Sequence, residues 1–351
     1  MIKVPPIYDC IVIGAGQAGL AAGYHLQQQQ LNFLILEAAD KPAGSWPQYY
    51  DSLTLFSPAR YSSLPGLPFP GDPTRYPVRD EVVSYLIHYA QYFNLPIRTN
   101  TSVTDIQKEK HLFLLATGSG ELFQAKNVIA ATGGFSRPFI PHILGIEHFQ
   151  GTTLHSKDYK NPFPFQNQRI VVVGAGNSAV QIAVELAAHA DVTIATRSPI
   201  LFKPQVIIGK DVHFWVTVLG IDQTGFGKWL LQSKPEGVLD TGKYQKAIEN
   251  QKPSRKEMFV QFTKDGVIWS DGTEEHVDTV IFATGYRPNV NYLSSLHALD
   301  KDGSPLHHKG VSTTVKGLYY VGLPWQRSLA SATLRGVGKD AKYVINHMRN
   351  T

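Results

Sequence analysis

The 351-residue chain is 43% hydrophobic, enough to bury about two cores, and carries a formal net charge of +5 with an isoelectric point near 9.0. Lysine and arginine are dispersed, so this mild excess suits small anionic cofactors and leaves no footprint for nucleic acid. No apolar run approaches the roughly 20 residues that cross a bilayer, and residues 1–6 lack a signal-peptide core, so a soluble cytoplasmic protein with no membrane partner is expected.

In chain order, residues 8–13 form a β-branched apolar run that reads as a buried parallel strand, and the loop Gly14, Ala15, Gly16, Gln17, Ala18, Gly19 follows. A helical pattern over 17–28 presents Leu20, Tyr24 and Leu26 on one face. In such a strand-turn-helix unit Gly14 permits the tight turn, Gly16 lets the backbone approach a pyrophosphate and Gly19 allows close helix packing. The helix N-terminus adds N–H groups and positive dipole. The next strand, 33–36, ends at Glu37, 18 residues beyond Gly19, where a carboxylate holds ribose hydroxyls and repels a 2′-phosphate. This half is therefore expected to bind FAD or NAD. The lone cysteine, Cys10, lies within the first strand and excludes a disulfide reductase working through its own dithiol.

Ser45 and Trp46 follow, the indole placed to stack on an isoalloxazine or simply to fill core. Strand 127–130 leads into Ala131, Thr132, Gly133 and Gly134, and strand 279–282 leads into Ala283, Thr284 and Gly285. Both crossings have an Arg-Pro nearby, Arg137-Pro138 and Arg287-Pro288, and each falls where one domain would hand the chain to the other.

The second unit repeats the first: strand 169–173, the loop Gly174, Ala175, Gly176, Asn177, Ser178, Ala179, a helix over 178–188 and a strand over 191–195. Here Thr196, Arg197 and Ser198 replace the acidic residue. Arg197 fits the 2′-phosphate of NADPH, with a solvated strand-end cation as the plainer alternative. Residues 203–253 are the least readable, and Phe214, Trp215, Phe226, Trp229 and Leu230 line either a substrate entrance or ordinary core. Strand 317–323 places Gly322 toward a flavin ribityl chain, and helical spacing over 329–348 follows. The 13 histidines show neither HExxH spacing nor a Cys/His cluster, so no metal is expected and His307-His308 reads as an exposed loop pair.

The predicted fold is α/β, with two Rossmann-like dinucleotide-binding domains for FAD and NADPH, as in two-dinucleotide flavoproteins. Residues 1–155 and 283–351 would form a discontinuous FAD domain, and 156–282 an inserted NADPH domain.

At these motifs the chain resembles the flavin-containing monooxygenases, over nearly its whole length. The most specific match is the FxGxxxHxxxY pattern, here Phe149, Gly151, His155 and Tyr159, just before the second glycine loop. Val180-Gln181 and the stretch from Gly237 to Gly242 resemble the small bacterial CzcO-like and plant indole-pyruvate-type members. The resemblance implies that NADPH reduces the flavin, that a C4a-hydroperoxide forms with dioxygen, and that one oxygen passes to a nucleophilic sulfur or nitrogen of a small molecule. Oxygenation of a ketone stays open. It gives His155, with Tyr159, a role coupling the domains and orienting the nicotinamide, and adds Val103 to the cofactor contacts. Family members use an Asn between the GxW motif and a Leu-Pro-x-x-Phe-Pro stretch. Residues 51–64 contain none, so Ser57, Arg60 or Tyr61 would replace it. The Asp usually following the ribityl glycine is Leu323. Two other readings share these motifs: an NAD(P)H-dependent flavin oxidoreductase serving a protein or quinone acceptor, and an accessory flavoprotein of sensing or stabilising role. A homodimer stays open.

Overall fold

The computed structural model describes residues 6–221 and 237–350. Two parallel sheets organise the chain. The first orders its parallel strands Leu318–Tyr320, Leu122–Ala130, Ile7–Ile13, Phe33–Leu36 and Ile97–Arg98. An antiparallel extension, Val103–Glu109 and Leu112–Thr117, attaches to Leu122–Ala130. The second orders Thr152–His155, Thr279–Phe282, Arg169–Val173, Asp191–Thr196 and Ser254–Glu257, all parallel.

The central strands are apolar throughout because both faces are covered. Cys10 and Val12 enter one core cluster and Ile11 and Ile13 the other. Ile170 and Val172 divide from Val171 and Val173 in the same way. A side-chain period of two thus serves two cores from one run.

The sheets are equivalent but not in chain order. Each has its glycine-loop strand at the centre, the Ala-Thr-Gly strand on one side and the Glu37 or Arg197 strand on the other. The strand outside Ala-Thr-Gly comes last in the first sheet, Leu318–Tyr320, and first in the second, Thr152–His155. Thr152–His155 lies on the first-domain side of a boundary drawn at residue 155, yet it pairs in the second sheet, since its partner Thr279–Phe282 needs an outer neighbour. By register, His155 beside Phe282 corresponds to Tyr320 beside Ala130.

The two crossings meet. Arg137–Pro138 pairs antiparallel with Tyr286–Arg287, Phe139 N–H donates to Gly285 O at 3.0 Å, and the Arg287 guanidinium lies 4.3 Å from the Phe139 ring centroid. His307-His308, expected in a loop, forms a short strand paired to Val311–Ser312, because the chain there turns back at Gly310 to extend the first sheet. The last helix, Leu334–Arg349, packs against Gln17–Gln28, with His25 hydrogen-bonded to Gly338 O at 3.1 Å. No helix among the described residues is long and apolar enough to cross a membrane.

Candidate functional site

The first glycine loop closes tightly on itself. Gly14 adopts φ +101°, and a Cβ there would stand 2.8 Å from Ala131 O; a Cβ on Gly19 would meet Gly14 O at 1.8 Å. Helix Gln17–Gln28 starts at Gly16 with no side-chain cap and no acidic residue in its first turn, so its leading N–H groups stay open to an anion. Ala18 packs under Gly322, where a Cβ would approach its methyl to 2.7 Å. Gln17 donates to Ala332 O at 2.7 Å and accepts the Trp46 indole N–H at 3.1 Å, which ties the loop to the turn before the last helix and fixes the ring. Ser45 precedes the short turn that carries Trp46, whose ring stands edge-on to Tyr49 at 5.6 Å.

Glu37 is buried, 6% exposed. Its carboxylate accepts from Ala15 N–H at 2.5 Å and Ala39 N–H at 2.9 Å. A carboxylate offers about four lone-pair positions, so two remain for ribose hydroxyls. Thr132 Oγ1 hydrogen-bonds Asn289 O and the Tyr292 hydroxyl, both at 3.2 Å, while Gly133 at φ +70° faces open space. Val103 is buried with Ile11 and Leu36, so only its backbone is offered to a ligand.

The second loop is more open. Gly174 adopts φ +142° and a Cβ there would stand 2.5 Å from Ala283 O, but a Cβ on Gly176 would enter open space. Helix Asn177–Leu186 begins at Gly176 uncapped and without acidic residues in its first turn. Asn177 Oδ1 is buried without a partner, Ser178 follows it at the helix start, and Ala179 is fully buried. Arg197 and Ser198 stand exposed at the strand end, and the Arg197 guanidinium makes no ion pair with any described residue. Arg255 was not singled out by the sequence. On the neighbouring strand, its Nε donates to Thr196 Oγ1 at 2.9 Å, which brings a second guanidinium to this edge. Its signal in the sequence is the basic pair Arg255-Lys256 in an otherwise unassigned stretch.

His155 is buried, 1% exposed. Its Nδ1 accepts the Lys157 N–H at 3.1 Å, so the ring proton sits on Nε2 and is donated to Gly285 O at 2.9 Å. Its ring stands edge-on to Tyr286 at 4.8 Å. Burial pushes its pKa down, and both nitrogens are committed, so the neutral ring buttresses the second Ala-Thr-Gly crossing. Tyr159 is fully buried and donates to Glu185 Oε2 at 2.7 Å, and burial pushes its phenol up. Phe149 packs on Phe262 at 5.0 Å, and a Cβ on Gly151 would stand 2.6 Å from Asp278 O. Every member of the FxGxxxHxxxY pattern thus has a packing or hydrogen-bonding place in or beside the second sheet.

The pyridine nucleotide-disulphide oxidoreductase family model matches residues 11–322. A solved double variant of a flavin monooxygenase from Stenotrophomonas maltophilia superposes with a TM-score of 0.87 at 31% identity, covering 98% of each chain. The chain belongs to the flavin monooxygenases of that family. An uncharacterized oxidoreductase, CzcO-like, from Geobacillus kaustophilus is 39% identical over 98% of this chain and 99% of its own. A probable indole-3-pyruvate monooxygenase from Arabidopsis thaliana is 29% identical over 97% of this chain and 87% of its own. Like other flavin monooxygenases it is an oxidoreductase. With one cysteine, fully buried and its thiol pushed up by burial, it has no dithiol of the kind the family's name implies.

Within residues 51–64, Ser57 and Arg60, expected to act there, make local contacts. Ser57 Oγ shares a hydrogen bond with Ser62 Oγ at 2.9 Å, and exposed Arg60 donates from Nε to Pro73 O at 3.2 Å. No hydrogen bond or ring contact joins either to His155 or Tyr159 among the described residues. Leu323, which lacks the usual carboxylate, is served by Gln326. That buried side chain accepts the Leu323 N–H at 3.3 Å and donates to Tyr320 O at 2.9 Å. Trp215 donates to Ile207 O at 2.9 Å and stands edge-on to Phe214, whereas Phe226, Trp229 and Leu230 lie outside the described residues. The described residues contain no group of three or more metal-ligating side chains.

Proposed function

We propose that the chain is an FAD-containing, NADPH-dependent monooxygenase that transfers one atom of dioxygen to a nucleophilic sulfur or nitrogen of a small molecule. The observation that carries this reading is the unlike pair of strand ends, a buried carboxylate at Glu37 and a free guanidinium at Arg197, beside two open helix N-termini. The residues fit both groups. Gly14, Gly16 and Gly19 leave backbone where a pyrophosphate needs it, Glu37 keeps lone pairs for ribose, and Arg197 with Arg255 meets a 2′-phosphate. When bound, the flavin supplies hydride acceptance and dioxygen activation, and NADPH supplies the hydride.

The chain's own residues position and enclose. Gln17 and Trp46 order the pyrophosphate loop, Gly322 over Ala18 gives a backbone approach, and the uncapped N-terminus of Leu334–Arg349 directs further N–H groups toward it. His155 holds Gly285, so the crossing that meets the nicotinamide is fixed from beneath. On this reading 1–155 and 283–351 carry FAD and 156–282 carries NADPH, with Thr152–His155 lent to the second sheet.

The test uses the flavin-loaded protein. Reduction with NADPH followed by oxygen and a panel of sulfides and amines should give product containing one oxygen from labelled dioxygen, with NADPH consumed in step. Direct reoxidation of the flavin, with all reducing equivalents appearing as hydrogen peroxide across the panel, would sink the monooxygenase reading in favour of a flavin oxidoreductase.

A further inference from the structure

The covalent links between the two domains are the crossings after Gly133 and Gly285. Several other ties join them, among them Asp51, whose N–H donates to Lys160 O at 2.8 Å and whose carboxylate accepts from Asn161 at 3.1 Å. Another is packing: Tyr50, 2% exposed, enters the core beneath Asn177–Leu186 and donates to Gln181 Oε1 at 2.6 Å. A further tie is polar, runs from Tyr76 to Asp211, and has no use in the proposed chemistry.

It is built on a projection of the second domain. Val206–Ile207 and Lys210–Asp211 pair as a two-residue hairpin through Ile208 and Gly209, both at positive φ as such a turn demands. Asp211 then caps helix Val212–Leu219 by accepting the His213 N–H at 2.8 Å. The same carboxylate accepts the His213 Nδ1 proton at 2.7 Å and the hydroxyl of Tyr76, from the first domain, at 2.6 Å. Burial opposes its charge, but these donors outweigh burial and hold Asp211 below the usual carboxylate range. The His213 ring, 9% exposed, lies at shallow angles to Phe56 and Tyr61, each 6.1 Å away by centroid. Gln205 completes the contact by donating to Phe56 O at 3.0 Å. The receiving loop is rigid, since Leu55 and Ala59 N–H groups donate to Pro77 O and Arg75 O, both at 2.8 Å.

We propose that Tyr76, Asp211 and His213 form a clasp that closes the second domain on the first, and that this clasp sets how long oxidised coenzyme stays bound. The inference rests on the coenzyme reading above. The Tyr50 tie is buried apolar packing and opens only at the cost of a cavity. The clasp is a chain of hydrogen bonds near the surface, where the Asp211 and His213 side chains keep 12% and 11% exposure, and is a part of the interface able to open in every cycle. Coenzyme on the second domain meets flavin on the first only while the domains are closed, so clasp opening is the step that frees it. These are positioning residues.

The decisive variants are Tyr76→Phe, which keeps the ring, and Asp211→Asn, which keeps a helix-capping oxygen. Hydrogen exchange of the flavin-loaded protein should rise in 56–62 and 205–213 in both. Release of NADP+, measured by displacement in stopped flow, should accelerate on the order of five-fold, the kinetic equivalent of one lost hydrogen bond. Unchanged exchange would overturn the clasp, and faster exchange with unchanged release would overturn its role in coenzyme retention. Both readouts are independent of oxygenation, so the clasp stands or falls on them even in a chain that oxygenates nothing.

Discussion

The two nucleotide units share a sheet order and differ in how ready their recognition groups are. In the first, Glu37 is buried and already oriented by the Ala15 and Ala39 N–H groups. In the second, Arg197 waits in solvent with no ion-pair partner among the described residues, and Gly176 looks onto empty space. A group ordered in advance loses little entropy on binding and suits a resident ligand. A free arginine loses rotamer freedom at each event and suits a ligand that comes and goes. On the proposed reading, strand-end chemistry would set which dinucleotide is read, and burial whether it stays.

The sharpest way to break this comparison is Gly19→Ala. The added methyl would stand 1.8 Å from Gly14 O, whereas the equivalent place in the second unit already holds Ala179, fully buried. We expect loss of more than about 3 kcal/mol and of bound flavin, beyond the usual cost of overpacking because the obstacle is backbone. The reverse change, Ala179→Gly, should cost about 1 kcal/mol or less. A flavin-to-protein ratio and thermal melts decide it, and a Gly19→Ala protein that keeps its flavin and melting point would make the units interchangeable. Next in size is Arg197→Ala, which removes a charge-assisted contact of about 1.5–3 kcal/mol and should raise KM for NADPH about 10- to 100-fold with NADH nearly unmoved. Equal effects on both coenzymes would show that Arg197 does not read the phosphate. Smaller again is Glu37→Gln. It should weaken FAD binding about tenfold in dialysis, because hydroxyls bond a carboxylate more strongly than an amide. Unchanged retention would remove Glu37 from the ribose site.

How much of this was legible depends on the range of the interaction. The glycine loops and the strand ends at Glu37 and Arg197 are local, each placed by a strand, a turn and a helix within about 30 residues, and that placement is legible in the sequence pattern. Thr152–His155 was legible as a motif but not as a strand of the second sheet, because its partner Thr279–Phe282 lies far along the chain. Gln326 stayed hidden for a chemical reason, since it serves the Leu323 backbone from three residues away where a carboxylate was sought. Tyr50, Arg255 and the Tyr76–Asp211 contact were invisible because only the meeting of remote segments gives them a role.

The remaining predictions separate positioning from chemistry around the second sheet. Burial lowers the His155 pKa below its ordinary 6.5, so the unfolded chain binds the proton more readily. His155 therefore contributes stability that is fully present above pH 6.5 and is lost as pH falls toward the lowered value. His155→Gln should flatten that acid limb of the melting profile, leaving the part due to His25, which burial lowers in the same sense. An unchanged limb would mean that His155 is not held neutral by the fold.

The smallest effect belongs to Tyr159→Phe. The hydroxyl donates only to Glu185, which is half-buried and able to rehydrate, so its removal should cost about 1 kcal/mol of stability. The ring, packed near Tyr50 and Phe165 at 6.2 and 5.8 Å, stays in place in the variant. If, as proposed, the coenzyme sits on Gly174–Ala179 and Arg197, kcat and KM for NADPH should then be unchanged within twofold, or about 0.4 kcal/mol. A drop in kcat beyond that, at unchanged melting temperature, would make Tyr159 a participant in the reaction and not part of the support beneath Asn177–Leu186.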